Sequence, residues 1–495
     1  MGLNKVGGQI VTILSLQECL TTKNKFDLEE LAHRLQFFNK IIMNARNAQV
    51  ETLYLLDNLI IISISLAELE SPEINTKIRL RIIEHIRSNL IQLEEHKSVV
   101  SKKLFTKVIS HWQAYLSEKE GLMRRVLAGA YSTGSALPEG SLLFRGRNDI
   151  FAIINDVYIN DTLKETLLLI GQQRMGKSSV IMQIPHKIAD VTMFFLDCQK
   201  LFADELHAQN NNQALFAAAL SQEIALQARD KYGISEILPL SLRSIEEYPL
   251  HFLTEWLNNV KSKLNTNRIM LCIDEINWLV QLVSEGKFKV NLLQYLRSLS
   301  QDSKWMMLYS GQYELDLWGG DYSVHFKNTR RLHVTYLEES YAKNLLIEPI
   351  KESPLIWDED AVNLVLYWSN RQPYLLQCIG VVIVNRVLSL KQNFSVKPQD
   401  AKMAIAKVLD TGRYYFESIA SVFDAKTHQI LDQIATNKMS NEHIDVLIQL
   451  EAQEYICKHV ENEWRFVIPL MELWWKKKLN PPIDIYKVIE NWSYD

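Results

Sequence analysis

Cysteine is scarce in this chain of 495 residues, and the cysteines lie far apart in the sequence. Because no CxxC pair occurs, the sequence indicates neither a zinc knuckle nor a disulfide framework. We interpret the cysteines as reduced, buried residues of a cytoplasmic protein. They are Cys19, Cys198, Cys272, Cys378 and Cys457.

The chain also lacks a strong charge of either sign and a long apolar run. Its formal net charge is −4 and its pI is about 6.3, which gives no whole-chain attraction to nucleic acid or acidic membranes. The first apolar stretch is interrupted by Gln9 and Ser15 and has no small-residue cleavage site, so we predict no signal peptide. The most apolar later run, residues 58–67, is too short to cross a bilayer. We therefore expect no membrane association.

Glycine is absent between Gln9 and Glu120, and Pro72 is the only proline there. Isoleucine and leucine recur every four residues from Ile78 to Leu90, which is the period of one helix face. We therefore predict an all-α N-terminal region over residues 1–130. Its three or four helices are expected near 27–69, with room for one break, 72–96 and 101–128. Ser71, Pro72 and Glu73 are interpreted as the N-cap and first residues of the second of these.

A change in composition near residue 129 marks the next region. Glycine and serine become frequent, which predicts a linker at 131–145. Beyond the linker, short apolar runs alternate with amphipathic stretches, as βαβ units with a parallel sheet require. We predict an α/β P-loop core at 146–336. Its strands are expected at 166–170, 191–196, 269–273, 305–309 and 331–335.

The remainder of the chain is predicted to form smaller domains. The pattern at 337–423 is helical and is interpreted as a lid over the core. Residues 424–478 predict a winged helix, with two helices and then short strands at 455–459 and 464–468 joined at 461–463. Residues 479–495 form a C-terminal tail. The fold class is therefore multidomain, with an all-α N-terminal region, an α/β core, a helical lid and a winged helix.

A phosphate-binding loop is the strongest motif. The pattern G-x-x-x-x-G-K-S follows an apolar strand and opens a helix, which is the context the motif needs. Gly171 allows the tight turn, Gly176 lets backbone N–H groups approach phosphates, Lys177 neutralises them, and the Ser178 hydroxyl ligates Mg²⁺. The residues predicted to bind the nucleotide here are Gly171, Gln172, Gln173, Arg174, Met175, Gly176, Lys177, Ser178 and Ser179.

An acidic pair follows a second apolar strand. Asp274 is predicted to hold Mg²⁺, and Glu275 to polarise the attacking water as general base. Asp197 ends a competing strand but lacks a second acid, so we interpret it as a capping residue. Since no guanine-reading N/T-K-x-D motif occurs in a suitable place, we expect ATP rather than GTP.

Four further polar residues are candidates for catalysis. Ser310 and Gln312 follow a predicted strand, where a polar side chain reaches the γ-phosphate or the water; an ordinary turn is the competing interpretation. Arg330 and Arg331 begin the last predicted strand and are candidates for an arginine finger that acts on a neighbouring subunit. A solvated pair of arginines is the alternative.

Several of these motifs together resemble the STAND ATPases, signal-transducing relatives of AAA+ and ORC proteins. Residues 143–149 (LFRGRND) resemble the box that precedes the ATPase core, and residues 369–377 (SNRQPYLLQ) are similar to the lid motif G-N-P-Y-L-L-Q. The chain departs from that motif at Ser369 and at residues 371–372. The resemblance covers 143–478 and implies that Gly146 and Arg147 lie against the nucleotide and Pro373 near the adenine.

The resemblance also implies a function. Such proteins are switches that bind ATP with Mg²⁺, reorient the lid and winged helix, form homo-oligomers and activate or recruit an effector, in bacteria often in antiviral defence. Two alternatives stay open: an ORC-like ATPase that binds DNA, and a non-switching ATPase subunit of a larger complex. Residues 439–457 contain no lysine or arginine, which disfavours DNA reading by the winged helix. We expect a protein partner at the N-terminal helices or the winged helix.

Overall fold

The computed structural model describes residues 17, 25–43, 50–95, 102–160, 165–201, 212–264, 266, 268–302, 304–316, 329–390, 394–438, 443–459, 463–481 and 483–491. The chain divides into two compact units. The first comprises the described residues up to Ala130 together with Ile347–Asp358 and Val384–Val396. The second comprises those of Tyr131–Leu346, Glu359–Ile383 and Lys397–Asp495.

The first unit is built on long helices, as the glycine-free stretch predicts. They are α1 (Lys25–Met43), α2 (Val50–Leu69), α3 (Thr76–Glu95) and α4 (Lys102–Leu127). The apolar residues that recur at helical spacing are the buried ones, and Leu35, Leu56, Ile86 and Trp112 meet in one core. The all-α prediction is confirmed. Residues 44–49 lie outside the described part of the chain, so the break allowed in the first predicted helix stays a prediction.

The predicted start of the second N-terminal helix is wrong. Pro72 and Glu73 lie in a turn, and α3 begins at Thr76. The cap is Asn75, whose side-chain oxygen accepts from the Ile78 N–H at 3.0 Å. The Arg79 guanidinium donates to the carbonyl oxygens of Leu69 and Ser71, which satisfies the end of α2 and keeps the turn separate from α3.

Two later segments belong to the first unit. The strands β6 (Ile356–Trp357) and β7 (Ser395–Val396) pair in parallel. The Arg124 guanidinium of α4 donates to the Val387 carbonyl at 2.9 Å and lies 5.1 Å from the centre of the Phe394 ring. The segment 337–423, predicted as one helical lid, is therefore divided between the units and contains a strand pair that its pattern did not reveal.

A five-stranded parallel sheet forms the centre of the second unit, in the order β2-β3-β4-β1-β5. The strands are β1 (Thr166–Ile170), β2 (Thr192–Asp197), β3 (Ile269–Asp274), β4 (Trp305–Gly311) and β5 (Thr329–His333). All five predicted strands occur, displaced by at most two residues. The predicted α/β core with a parallel sheet is confirmed.

Both faces of this sheet are covered along β1 to β4, which explains why these four strands are largely apolar, whereas β5 is mostly exposed. Successive residues of one strand enter different cores: Leu168 packs on one face, whereas Leu167 and Leu169 pack on the other. The helices of this region are α5 (Asn148–Ile159), α6 (Lys177–Lys187), α7 (Cys198–Leu201), α8 (Asn212–Tyr232), α9 (Pro249–Lys263), α10 (Ile276–Ser284) and α11 (Asn291–Leu299).

The strand register brings the sequence motifs to one edge of the sheet. Ile170 lies opposite Gly311, and Asp197 lies opposite Asp274, so the carboxyl ends of four strands are level. The loops that follow these strands therefore meet at one edge, where ligands bind in open α/β sheets.

Helices dominate the chain after β5. They are α12 (Glu339–Ile347), α13 (Glu359–Ser369), α14 (Pro373–Leu390), α15 (Pro398–Thr411) and α16 (Arg413–Ala420). By length and apolar composition alone α14 could cross a membrane, but half of it is buried within the protein, as in a core helix. The structure thus adds little weight to a membrane span.

A small unit, here called the hairpin unit, occupies residues 424–479. Helices α17 (Ala425–Ala435) and α18 (Ile444–Ala452) precede an antiparallel pair, β8 (Ile456–Lys458) and β9 (Trp464–Phe466), and α19 (Pro469–Leu479) follows. Trp475 is fully buried and donates from its indole to Asp432 at 2.7 Å. The turn predicted at 461–463 lies largely outside the described residues. A last helix, α20, covers Ile485–Glu490.

The cysteines within the described residues are unpaired. Cys198, Cys272 and Cys378 are buried and Cys457 is partly buried. Burial raises the pKa of all of these thiols, that of Cys378 to about 11. They are therefore weakly nucleophilic at neutral pH.

We expect Gly171→Ala to destabilise the second unit by about 1–3 kcal/mol, because a Cβ at this position would overlap the Val334 carbonyl oxygen of the neighbouring chain segment. Urea unfolding followed by tryptophan fluorescence would measure the change. Gly129→Ala is the matched control, since no heavy atom lies within 4 Å of its added Cβ. Equal stability of the two variants would contradict the proposed close approach.

Candidate functional site

The phosphate-binding loop connects β1 to α6. Gly171 passes directly beside Val334, and Gly176 has φ of +95°, a left-handed conformation that glycine adopts without strain. The backbone of the loop then enters α6 at Lys177, so the positive end of the helix faces the loop. The buried Lys177 ammonium donates to the carbonyl oxygens of Gly171 and Gln172 at 3.0 and 2.9 Å. This geometry is suited to a polyphosphate.

The acidic pair lies at the same edge of the sheet, at the end of β3. Asp274 is buried, and its carboxylate accepts from the Ser310 hydroxyl and from the Glu275 N–H. Ser310 is itself fully buried and does not line the pocket. Its position differs from the direct nucleotide contact expected from the sequence: Ser310 orients Asp274.

Glu275 has the environment of a base. It is held at φ of +53°, lines the pocket, and accepts a hydrogen bond from the Gln312 side chain. Its other carboxylate oxygen, Oε2, is buried without a hydrogen-bond partner. Burial raises the pKa of Glu275, while Lys177 opposes that rise. A carboxylate with a raised pKa and one uncommitted oxygen can take a proton from water.

Ser178 and Asp274 also fit a magnesium ion. Ser178 lines the pocket, and Asp274 ends β3 at the same edge of the sheet. Hydroxyl and carboxylate oxygens are the donors that Mg²⁺ prefers. No cluster of three or more His, Cys, Asp or Glu side chains that could hold a metal ion occurs among the described residues.

The pocket extends well beyond the motifs. Residues 132–137 and 143–145 form part of its wall, and Pro373, Tyr374 and Gln377 of α14 form another. Among the described residues, its charged lining consists of four cations and one acid, which favours an anionic ligand. They are Arg145, Arg147, Arg174, Lys177 and Glu275. Leucine, phenylalanine and proline side chains supply an apolar surface suited to a nucleoside.

Gly146 and Arg147 connect the segment before the core to the phosphate-binding loop. Gly146 has φ of +72° and packs against the Tyr341 ring, where a Cβ would lie 2.8 Å from a ring carbon. The Arg147 guanidinium lines the pocket and donates to the carbonyl oxygen of Thr335, with a longer bond of 3.5 Å to Met175. Arg147 therefore braces the loop from outside.

Loop residues predicted to bind nucleotide also contact the rest of the second unit. The Gln172 amide donates to the Gln453 carbonyl of the hairpin unit at 2.8 Å, and Gln173 accepts from the Ser418 hydroxyl of α16 at 2.8 Å. Arg174 donates to the Gly134 carbonyl at 2.8 Å and lies over the Tyr374 ring. Ser179 accepts from the Leu137 N–H at 3.0 Å. The loop is thus bonded to the 132–137 segment of the pocket wall and, outside the pocket, to α16 and the hairpin unit.

The lid motif forms a tight turn without glycine. Asn370 and Arg371 both have positive φ, of +43° and +61°. The Ser369 hydroxyl accepts from the Arg371 N–H at 3.2 Å and so supports the turn. The buried Gln372 amide donates to the Arg174 carbonyl at 3.2 Å, directly before Pro373 at the start of α14. At the positions where the chain departs from the motif G-N-P-Y-L-L-Q, side-chain hydrogen bonds of Ser369 and Gln372 therefore stabilise the turn.

Arg330 and Arg331 lie away from the phosphate-binding loop of their own chain. They pair with Leu167 and Leu168, at the beginning of β1, whereas the loop follows its end. Both are exposed, and Arg330 lies 3.4 Å from Glu165. The structure therefore does not bring them to this pocket.

Several residues of the site carry no clear signal in the sequence. Residues 132–137 lie within the segment predicted as a linker at 131–145, and Gln372 and Gln377 belong to the lid motif, which predicts no contact for either of them. Glu454 of the hairpin unit accepts from the Thr335 hydroxyl at 2.7 Å and from the Tyr313 hydroxyl at 3.2 Å. Its φ of +60° is unusual for a glutamate, but no sequence signal marks it.

Comparison with known proteins shows partial structural likenesses. No protein-family model matches the sequence, and no curated protein matches it. A Walker-type ATPase of Pyrococcus abyssi is 17% identical with a TM-score of 0.49, covering 70% of this chain and 100% of that one. The Aeropyrum pernix ORC1 protein, solved in complex with DNA, is 13% identical with a TM-score of 0.38, covering 72% and 96%. A Thermotoga maritima RuvB variant is 10% identical with a TM-score of 0.36, covering 65% and 92%.

We expect Glu275→Gln to raise the melting temperature by a few degrees at about pH 7–8. A carboxyl whose pKa is raised on folding contributes stability below its ordinary value of 4.5 and loses it as pH rises through the folded value. The ionised group therefore destabilises the fold at neutral pH, and the gain should vanish near pH 4. Thermal unfolding without nucleotide measures this, with the exposed Glu285→Gln as control. A pH-independent difference would rule out the raised pKa.

Proposed function

We propose that this protein is a Mg²⁺-dependent ATPase that acts as a STAND-type molecular switch, with the hairpin unit as its winged helix. The single observation that carries the switch is the bond from Gln172, inside the phosphate-binding loop, to Gln453 of the hairpin unit. A phosphate-binding loop that holds another structural unit through its own side chain couples nucleotide state to the position of that unit.

The ATPase part of the proposal follows from the roles of individual groups. The loop N–H groups, the α6 N-terminus and Lys177 would bind the β- and γ-phosphates. Ser178 and Asp274 would hold Mg²⁺, which supplies charge neutralisation to the phosphates. Glu275, with Gln312 fixing one oxygen, would receive the proton of the attacking water on Oε2. Arg147 would keep the loop in position.

We expect Lys177→Ala to weaken ATP binding about a hundredfold or more, because it removes the charge that compensates the phosphates. Glu275→Gln should keep binding and slow turnover by about 10²–10⁴-fold, since it removes the base and spares the metal ligand. Calorimetry and a phosphate-release assay on both variants measure these effects. Wild-type affinity in the first variant, or wild-type turnover in the second, would overturn the assignment.

The switch part of the proposal rests on Gln453 and Glu454, which form the turn between α18 and β8 of the hairpin unit. Glu454 bonds Thr335 and Tyr313 through its carboxylate, and its carbonyl accepts from the Tyr336 hydroxyl at 3.0 Å. Tyr313 directly follows Gln312, which bonds Glu275. A conformational change at the γ-phosphate position would therefore reach Glu454 through Gln312 and Tyr313. A change in the phosphate-binding loop would reach Gln453 through Gln172.

We expect Glu454→Ala to release the hairpin unit and accelerate ADP dissociation about tenfold. The substitution removes the charge-assisted bonds from Thr335 and Tyr313 that hold the turn between α18 and β8 beside the loop. Stopped-flow fluorescence with a labelled ADP measures the rate. Glu451→Ala is the matched control, as Glu451 is exposed on α18, three residues before Glu454. Equal rates of ADP release from the folded Glu454→Ala variant and the control would refute the proposed role of Glu454 in holding the hairpin unit.

The proposal includes assembly with further copies and with a protein partner. Arg330 and Arg331, exposed and remote from their own loop, are proposed to reach the γ-phosphate of a neighbouring copy. The exposed face of α18 presents Ile444, Asp445, Ile448 and Glu451, and residues 439–457 contain no lysine or arginine. Phosphates would repel this helix, so we propose that it binds protein rather than DNA.

A further inference from the structure

Gln377 presents a polar group to the pocket from a mostly apolar helix. It lies on α14, one turn after Pro373, and lines the pocket although only 7% of its surface is exposed. Buried amides are costly unless their hydrogen bonds are made, so the position of each end of this side chain is informative.

The orientation of the amide is fixed by its neighbour. The Ser132 N–H donates to the Gln377 oxygen at 3.1 Å. Since a backbone N–H requires an acceptor, the oxygen must face Ser132 and the NH₂ group must face the other way. Within the described part of the chain, the Gln377 nitrogen has no hydrogen-bond acceptor. A donor group is therefore directed at the pocket without an acceptor among the described residues.

A rigid support keeps Ser132 and Gln377 together. The ring of Tyr131 packs directly on Gly380, where a Cβ would lie 2.6 Å from a ring carbon. The Tyr131 hydroxyl donates to the Leu346 carbonyl at 2.5 Å. Gly380 is one turn beyond Gln377 on α14, so the buried tyrosine delivers Ser132 to the glutamine. The donor is held by packing as well as by its own hydrogen bond.

We propose that Gln377 determines base specificity, by donating from its NH₂ group to N1 of adenine. This inference rests on the proposed ATP binding and concerns the base rather than the phosphates. The apolar lining beside it, with Leu137, Leu345 and Pro373, suits the faces of a purine.

The edge of the base follows from donor and acceptor chemistry. At position 1 adenine has a ring nitrogen that accepts, whereas guanine has an N–H that donates. A fixed donor therefore bonds adenine and leaves two opposed donors with guanine, which a buried site rejects strongly. At N7 both purines accept, so a donor there would not discriminate between them.

Gln377→Glu tests the assignment because it exchanges the donor for an acceptor and keeps the oxygen that Ser132 needs. We expect the ratio of the GTP to the ATP dissociation constant to fall about tenfold to a hundredfold, since the new carboxylate accepts from guanine N1–H and repels adenine N1. Calorimetry on the full chain with Mg²⁺ measures both constants. Gln199→Glu is the matched control, because Gln199 also lines the pocket and gains the same charge.

A second measurement uses the unaltered protein and so does not depend on the folding of a variant. We expect 1-deaza-ATP, which lacks the N1 acceptor, to bind about tenfold or more weakly than ATP, and 7-deaza-ATP to bind as ATP does. Equal binding of ATP and 1-deaza-ATP, or an unchanged GTP to ATP ratio in a folded Gln377→Glu variant, would overturn the role of Gln377. Failure of Lys177→Ala to weaken ATP binding would instead overturn the proposed nucleotide site.

Discussion

The backbone bond from the Val334 N–H to the Ile170 carbonyl, at 2.8 Å, is the contact on which the site depends. It continues the β1–β5 pairing past the ends of both strands, so residues 335–336 run beside the phosphate-binding loop. The Val334 carbonyl then occupies the space of a side chain at residue 171, which explains the need for glycine there in packing terms as well as in turn geometry. Thr335 and Tyr336 make their bonds to Glu454 from this extension, and Arg147 donates to the Thr335 carbonyl within it.

The same extension explains why loop and hairpin unit are energetically linked. Thr335 and Tyr336 bind Glu454, while Gln172 binds the preceding Gln453. Two consecutive residues of the hairpin unit are thus held by the strand extension and by the loop at once. Under thermodynamic linkage, a nucleotide that shifts the loop changes the docking free energy of the hairpin unit, and release of the hairpin unit changes nucleotide affinity by the same factor.

The sequence predicted the features that are local. Apolar runs with flanking polar residues located all five strands, and the loop and acidic pair are contiguous motifs whose register follows from parallel pairing. It failed where a contact joins distant segments. The segment at 132–137 reads as a glycine-serine linker, yet Arg174 and Gln377 hold it as a pocket wall. Likewise the residues around Pro72 have the pattern of a helix start, but α3 begins after Asn75 because the Asn75 side chain caps it. Arg79 stabilises the preceding turn by donating to the Leu69 carbonyl.

The chemistry of the buried thiols has a practical consequence for spectroscopy. Cys198, Cys272 and Cys378 are buried, and the pKa of each of them and of Cys457 is raised, so maleimide dyes would react with them slowly. One cysteine could be introduced at an exposed position such as Ile448 of α18, and a second at an exposed position beside the five-stranded sheet. Both could then be labelled selectively once Cys19 is replaced. Single-molecule energy transfer between the two dyes would follow the hairpin unit in real time, with the native core thiols left in place.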